Sequence, residues 1–137
     1  MRRKTLTGFG VLLVVLLIAY GVFVIAMGPQ FAEQTRVRNM PINDIALSRV
    51  ADGVYQGDFT YGKFTYMLEV VVRDHVIEDI QILANREESK YAKKAEVVVE
   101  RVLQAQSLEV DAVSGATTTS KALLKAMERA LSKGILE

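Results

Sequence analysis

The residues best suited to chemistry are Ser114-Gly-Ala-Thr-Thr-Thr-Ser120, five hydroxyls around one glycine, just before an amphipathic run. Serine and threonine cap helix N–H groups and glycine permits a tight turn, so the segment can be read as an ordinary helix start. A helix start also has unpaired N–H groups and a partial positive charge, which together suit a phosphate, and Lys121 would add charge. Residue types alone leave both readings open. The glycine and lysine spacing is not that of a Walker A loop. No cysteine is present, which excludes disulfides, thiolate metal sites and cysteine nucleophiles. The single histidine, His75, falls in an expected turn and is read as solvated. Glu87-Glu88 and Lys93-Lys94 are read as helix-surface charge. No nucleophile–base pair and no metal-ligand set emerges, so no catalytic or metal residue is assigned.

Several elements must position that segment. Residues 54–61 are aromatic-rich, with Gly57 and Gly62 suggesting a bulge or bend in a strand. Residues 64–72 alternate, with Phe64, Tyr66, Leu68, Val70 and Val72 on one face. After a turn at Arg73-Asp-His75 comes a third strand, 76–83, with Val76, Glu78, Ile80 and Ile82 opposite Ile77, Asp79 and Gln81. Three strands with short links predict an antiparallel meander. The period then changes: Tyr91, Ala95, Val98, Val99, Val102 and Leu103 predict one amphipathic helix of about five turns. A last helix, near 119–133, buries Leu123, Leu124, Met127, Ala130 and Leu131, and Gly134 is expected to end it. The fold class is α+β: a small antiparallel sheet of three or four strands packed by two helices, preceded by one N-terminal transmembrane helix. The aromatics Tyr55, Phe59, Tyr61, Phe64, Tyr66 and Tyr91 could flank a flat ring, but most are expected in the core.

The chain has 137 residues, and residues 8–27 carry no charge. About 20 residues at roughly 1.5 Å each cross the roughly 30 Å hydrocarbon core. Arg2, Arg3 and Lys4 precede the stretch, so its N-terminus is expected in the cytoplasm and the rest outside. A cleaved signal peptide competes with the anchor and gives the same direction of export. Gly28-Pro29 is expected to end the helix. The domain plan is an anchor over 1–27, a juxtamembrane linker over 28–51 with turn chemistry at Pro41-Ile-Asn-Asp44, and a domain over 52–137. Three of the 17 basic residues precede the apolar stretch; the other 14 face 16 acidic ones, a net of −2. Such a domain has no electrostatic footprint for nucleic acid.

Asp111-Ala-Val-Ser-Gly-Ala-Thr117 resembles the Asp-x-x-Ser/Thr-Gly-Ala-Thr flavinylation motif of the FMN-binding domain family. That family includes flavoprotein subunits of the Rnf complex and of the sodium-translocating NADH:quinone reductase, and small electron-transfer domains. Asp52-Gly-Val-Tyr-Gln-Gly57, Gln106-Ser107 and Thr119-Ser120 extend the likeness over about 80 residues, roughly 52–131. The resemblance implies FMN joined to Thr117 by a phosphoester, which makes a phosphoprotein, installed from FAD by a flavin transferase outside the cytoplasm. It implies that Asp111 is needed for modification, though an acid capping nearby N–H groups would look the same. Ser114, Gly115 and Ala116 would turn around the phosphate; Thr118, Thr119 and Ser120 would supply hydroxyls or caps. Larger subunits carry a His-x-Glu-Thr segment where this chain has Asn85-Arg-Glu-Glu-Ser89, which implies the minimal carrier type. The expected function is a single-pass, membrane-anchored electron carrier serving membrane or extracytoplasmic redox partners. The alternative is an interaction module of the same fold, without flavin or with FMN bound non-covalently.

Overall fold

A computed structural model describes residues 2–85 and 90–136. The stretch 86–89, which holds Glu87-Glu88 and most of the segment compared with His-x-Glu-Thr, lies outside the described residues, as does the Tyr91 side chain. The chain divides into two compact units, Met1–Glu33 and Gln34–Glu137.

The first unit is helical. Helix α1, Arg2–Arg38, is long and apolar enough to cross a membrane. Phe9, Leu12, Ile18, Phe23 and Ile25 are all exposed on it. It does not stop at Gly28-Pro29, as expected, but continues through Pro29 to Arg38. An interior proline removes one hydrogen bond and costs about 3 kcal/mol. Residues beyond it form further turns, and in the last of them Val37, already in the second unit, is 1% exposed, so packing supports the helix beyond the proline.

In the second unit the sheet is a meander in the order β1-β2-β3, formed by Gly53–Tyr61, Phe64–Arg73 and Val76–Asn85. Each strand lies antiparallel to the next, as expected. Two-residue turns join them: Gly62 takes φ 54°, and Asp74 and His75 take φ 50° and 62°. A pair of positive φ values matches the right-handed twist of a hairpin. The Asp52 carboxylate supports the second turn by accepting the Asp74 N–H at 2.9 Å. His75 is exposed but not merely solvated, because its Nδ1 lies 3.2 Å from the Leu47 carbonyl and 3.3 Å from that of Val50.

The inward face of β2 is the alternating set Tyr66, Leu68, Val70 and Val72, all buried. Strand β3 departs from its simple alternation. Register shifts opposite Met67/Leu68 and Val71/Val72 leave Leu83 and Glu78 as extra residues. An extra residue reverses the side-chain phase, so Ile77 turns inward with Ile80 while Val76 is exposed. The expected irregularity in β1 is absent from its ladder with β2, which is continuous. Gly57 instead makes room for a helix: a methyl there would collide with the Ala126 carbonyl and lie 2.7 Å from the Ala130 nitrogen.

The expected long helix is two, α2 (Lys90–Ala95) and α3 (Val97–Ala105). At the junction Val99 N–H bonds the Glu96 carbonyl at 2.9 Å, a three-residue step. Ala92, Ala95, Val98 and Val102 are all buried. Their initial spacing of three fits a tighter turn than an α-helix provides. Helix α4, Thr117–Ser132, lies across β1 and β2. Leu123, Leu124, Met127, Ala130 and Leu131 are buried on it, as their spacing predicts. Gly134 is not a left-handed cap; it is small because the Tyr55 ring packs against it.

Residues expected as a linker belong, from Gln34 onward, to the compact second unit. Met40, Ile42, Ile45 and Leu47 pack on the core, and Val50 is fully buried. Asp44 accepts the Leu108 N–H at 2.8 Å. Leu47–Arg49 forms a short 3-10 turn.

Candidate functional site

The hydroxyl-rich segment is fixed from both ends. Leu108, Val113 and Ala116 are buried and pin the loop to the core. Ala116 N–H bonds the Val113 carbonyl at 2.9 Å, closing a turn in which Gly115 takes φ 79°. A positive φ at this position calls for glycine. From α3, Arg101 donates to the carbonyl of Asp111 at 2.6 Å and to that of Ala112 at 3.4 Å. From α4, the buried Ser120 hydroxyl accepts the Val113 N–H at 3.1 Å. Ser120 is fully buried, and its hydroxyl helps hold the loop.

The remaining hydroxyls lie at the start of α4. Thr117 is its first residue, and the N-cap position is Ala116, whose methyl caps nothing. Ser120 N–H closes the first turn on the Ala116 carbonyl at 2.9 Å. The N–H groups before it have no intrahelical acceptor. Thr117, Thr118 and Thr119 line a cleft of about 370 Å3 with Gly115, Ala116, Gln34, Arg38, Tyr61 and Phe64. That volume falls within the range of about 300–1,000 Å3 usual for small-molecule sites. Ser114 and Asp111 are exposed and are not among the residues that line it.

The aromatic wall is packed ring against ring. Tyr61 lies 5.6 Å from Phe64 and 5.9 Å from Tyr66, centroid to centroid. Tyr66 is fully buried, and Phe59 and Tyr61 are nearly so. Tyr61 and Phe64 reach the cleft, while Tyr66 and Phe59 belong to the core as expected. Two contacts of this neighbourhood escape a reading of the sequence. Lys94, exposed on α2 as its reading as helix-surface charge expects, also brings its Nζ to 3.1 Å from where a Cβ on Gly115 would lie. Arg101 braces the loop from 10 residues upstream of Asp111. Both contacts join separate elements, and no local pattern announces them.

A helix start whose N-cap residue Ala116 supplies no side-chain cap, adjacent hydroxyls and an aromatic wall fit a phosphorylated flat ring. The sequence pattern that defines the FMN-binding domain matches residues 61–132. The chain belongs to the FMN-binding domain family. The matched span runs from the end of β1 through α4, and so includes Tyr61, Phe64, Lys94, Arg101 and the whole hydroxyl segment. A protein of Treponema pallidum (strain Nichols), named only "Uncharacterized protein", is 33% identical over 85 residues, 61% of this chain and 24% of that protein. The chain spans about a quarter of the length of this relative.

Proposed function

We propose that this protein is a membrane-anchored electron-transfer flavoprotein, with FMN joined by a phosphoester to Thr117 and its FMN-binding domain held outside the cytoplasm. The observation that carries this is the place of Thr117: the last residue of Asp111-x-x-Ser-Gly-Ala-Thr is also the first of α4, on the cleft. Its Oγ would be the ester oxygen, leaving the remaining phosphate charge beside the N–H groups of the first turn. Gly115 and the Val113–Ala116 bond hold the turn, while Arg101 and Ser120 stop the loop from drifting away from the helix. Tyr61 and Phe64 would give the cleft an aromatic wall for the ring. The bound flavin supplies the electron transfer; the protein orients it and tunes it. Covalent attachment suits an exported carrier, because a weakly held FMN would be lost by dilution. The basic residues before the apolar stretch support the outward orientation, and that orientation suits maturation by an extracytoplasmic flavin transferase. The partners would be redox proteins of the membrane or its outer side.

The test is co-expression of the full chain with a flavin transferase. Wild type should fluoresce in a denaturing gel, and Thr117→Val should not, while Thr118→Val and Thr119→Val keep the covalent flavin. Fluorescence persisting in Thr117→Val would overturn the assignment. Protease added to spheroplasts should remove the domain, and its protection would sink the outward orientation.

A further inference from the structure

Two cations from elements far apart in the chain stand at the cleft, one among its lining residues and one against the lining residue Gly115. Arg38, in the last turn of α1, lines it directly. Lys94, in α2, stands over Gly115, which lines it too, with Nζ 3.1 Å and Cε 4.0 Å from the position of an added Cβ. Gly115 thus serves the site twice, once through its positive φ and once by leaving room for the ammonium. None of the residues lining the cleft is acidic. Neither Arg38 nor Lys94 has an acidic partner among the described residues. Two like charges at one concavity raise the local positive potential and favour an anion there. This local excess of positive charge occurs in a domain whose overall charge is slightly negative, so it does not follow from composition.

We propose that Lys94 and Arg38 form a cationic clamp that makes the cleft select a phosphorylated flavin over the neutral, unphosphorylated one. The proposal rests on the flavin reading of the site and adds the residues that read the phosphate. Lys94 offers a compact charge with three rotatable donors; Arg38 offers a planar fork. Charge-assisted hydrogen bonds of this kind are about twice as strong as neutral ones. Riboflavin, which shares the ring and lacks the phosphate, gives the clamp nothing to hold. Both cations are solvent-exposed, so their contribution is screened by salt.

The experiment uses the full chain made without a flavin transferase and purified in detergent. FMN and riboflavin are titrated in turn, with quenching of flavin fluorescence as the readout. Wild type should prefer FMN by about tenfold or more at low salt. Lys94→Gln should cut that preference about three- to tenfold. Lys94→Glu should abolish it, Lys94→Arg should keep most of it, and Arg38→Gln should cause a smaller loss. Riboflavin affinity and melting temperature should stay constant across the series, which separates a clamp from a structural role. The preference should shrink as salt is raised. Equal affinities in wild type, absence of measurable FMN binding, or a preference unchanged in both Lys94→Gln and Lys94→Glu overturns the clamp. Covalent attachment in wild type together with an unchanged preference in the Lys94 variants overturns the clamp alone. A preference lost in those variants, with no covalent product in wild type, supports the clamp and sinks the covalent reading instead.

Discussion

The first turn of α4 and the turns after it lie in different surroundings. Leu123, Leu124, Met127 and Leu131 face the sheet and are at most 1% exposed. Thr117 and Thr118 are only partly buried and face the cleft. Between them stands Ser120, fully buried, with its hydroxyl turned back to the loop. The later turns position the helix by burying apolar surface. The first turn then presents N–H groups and hydroxyls where the packing has placed them. A site built this way can take a ligand without weakening the core, because the apolar anchors and Thr117 and Thr118 lie on different turns of one helix.

The division is broken most directly from the core side. Leu124→Ala or Met127→Ala removes a side chain that is almost or wholly inaccessible to water, and should cost about 2–5 kcal/mol in chemical denaturation. At a temperature where the variant is still folded, attachment at Thr117 should proceed. A stability loss near zero would place this face in solvent. Loss of attachment in the folded variant would show that the core and the first turn are not separable.

A smaller effect is expected at the joint between the two. Ser120→Ala leaves the buried Val113 N–H without its acceptor, at a cost of about 1–3 kcal/mol. The turn before Thr117 then loses one of its two braces, so the rate of flavin attachment should fall while non-covalent riboflavin binding changes little. Arg101→Gln removes the other brace and provides the comparison. If Ser120→Ala lowers stability but leaves the attachment rate at the wild-type value, the loop needs no brace from α4.

How far the sequence reveals this arrangement differs from element to element. The strands of the meander and the apolar face of α4 follow from side-chain periodicity, since both report burial of one face. Strand β3 resisted the same reasoning because each bulge reverses the phase, and Glu78 and Leu83 look like ordinary members of an alternating run. The α2–α3 junction at Glu96 was hidden by a stripe whose spacing also suits one continuous helix. Pro29 misled for a related reason: a local penalty of a few kcal/mol was outweighed by packing further along the chain. The motif loop was visible as residue types. Its braces were not, because Arg101, Lys94 and Ser120 act through contacts that depend on the finished fold. The packing of residues 40–47 on the core was also invisible, as their apolar residues follow no single period.

That packed segment carries the smallest effect, and the one most sensitive to pH. Asn43 donates to Glu128 through its backbone N–H at 3.2 Å and its side chain at 3.0 Å. Lys125 reaches both oxygens of the same carboxylate at 2.8 Å. Burial pushes the Glu128 carboxyl up, but the hydrogen bonds from Lys125 and Asn43, with the lysine's charge, outweigh it and hold the group below its ordinary value of 4.5. A carboxyl whose folded value is depressed binds its proton less readily in the native state than in the unfolded one. Its contribution to stability is therefore complete above the ordinary value and is lost as pH falls through the lower, folded value. In Glu128→Gln, stability should fall less steeply with acid below about pH 4.5 than in wild type. Hydrogen exchange at the Asn43 amide should meanwhile rise with acid in wild type, relative to its intrinsic rate, before the amides of β2 respond. Simultaneous loss of protection at both places would mean that residues 40–47 open only with the whole domain. The same acid slope in wild type and Glu128→Gln would remove Glu128 from the account of what holds this segment down.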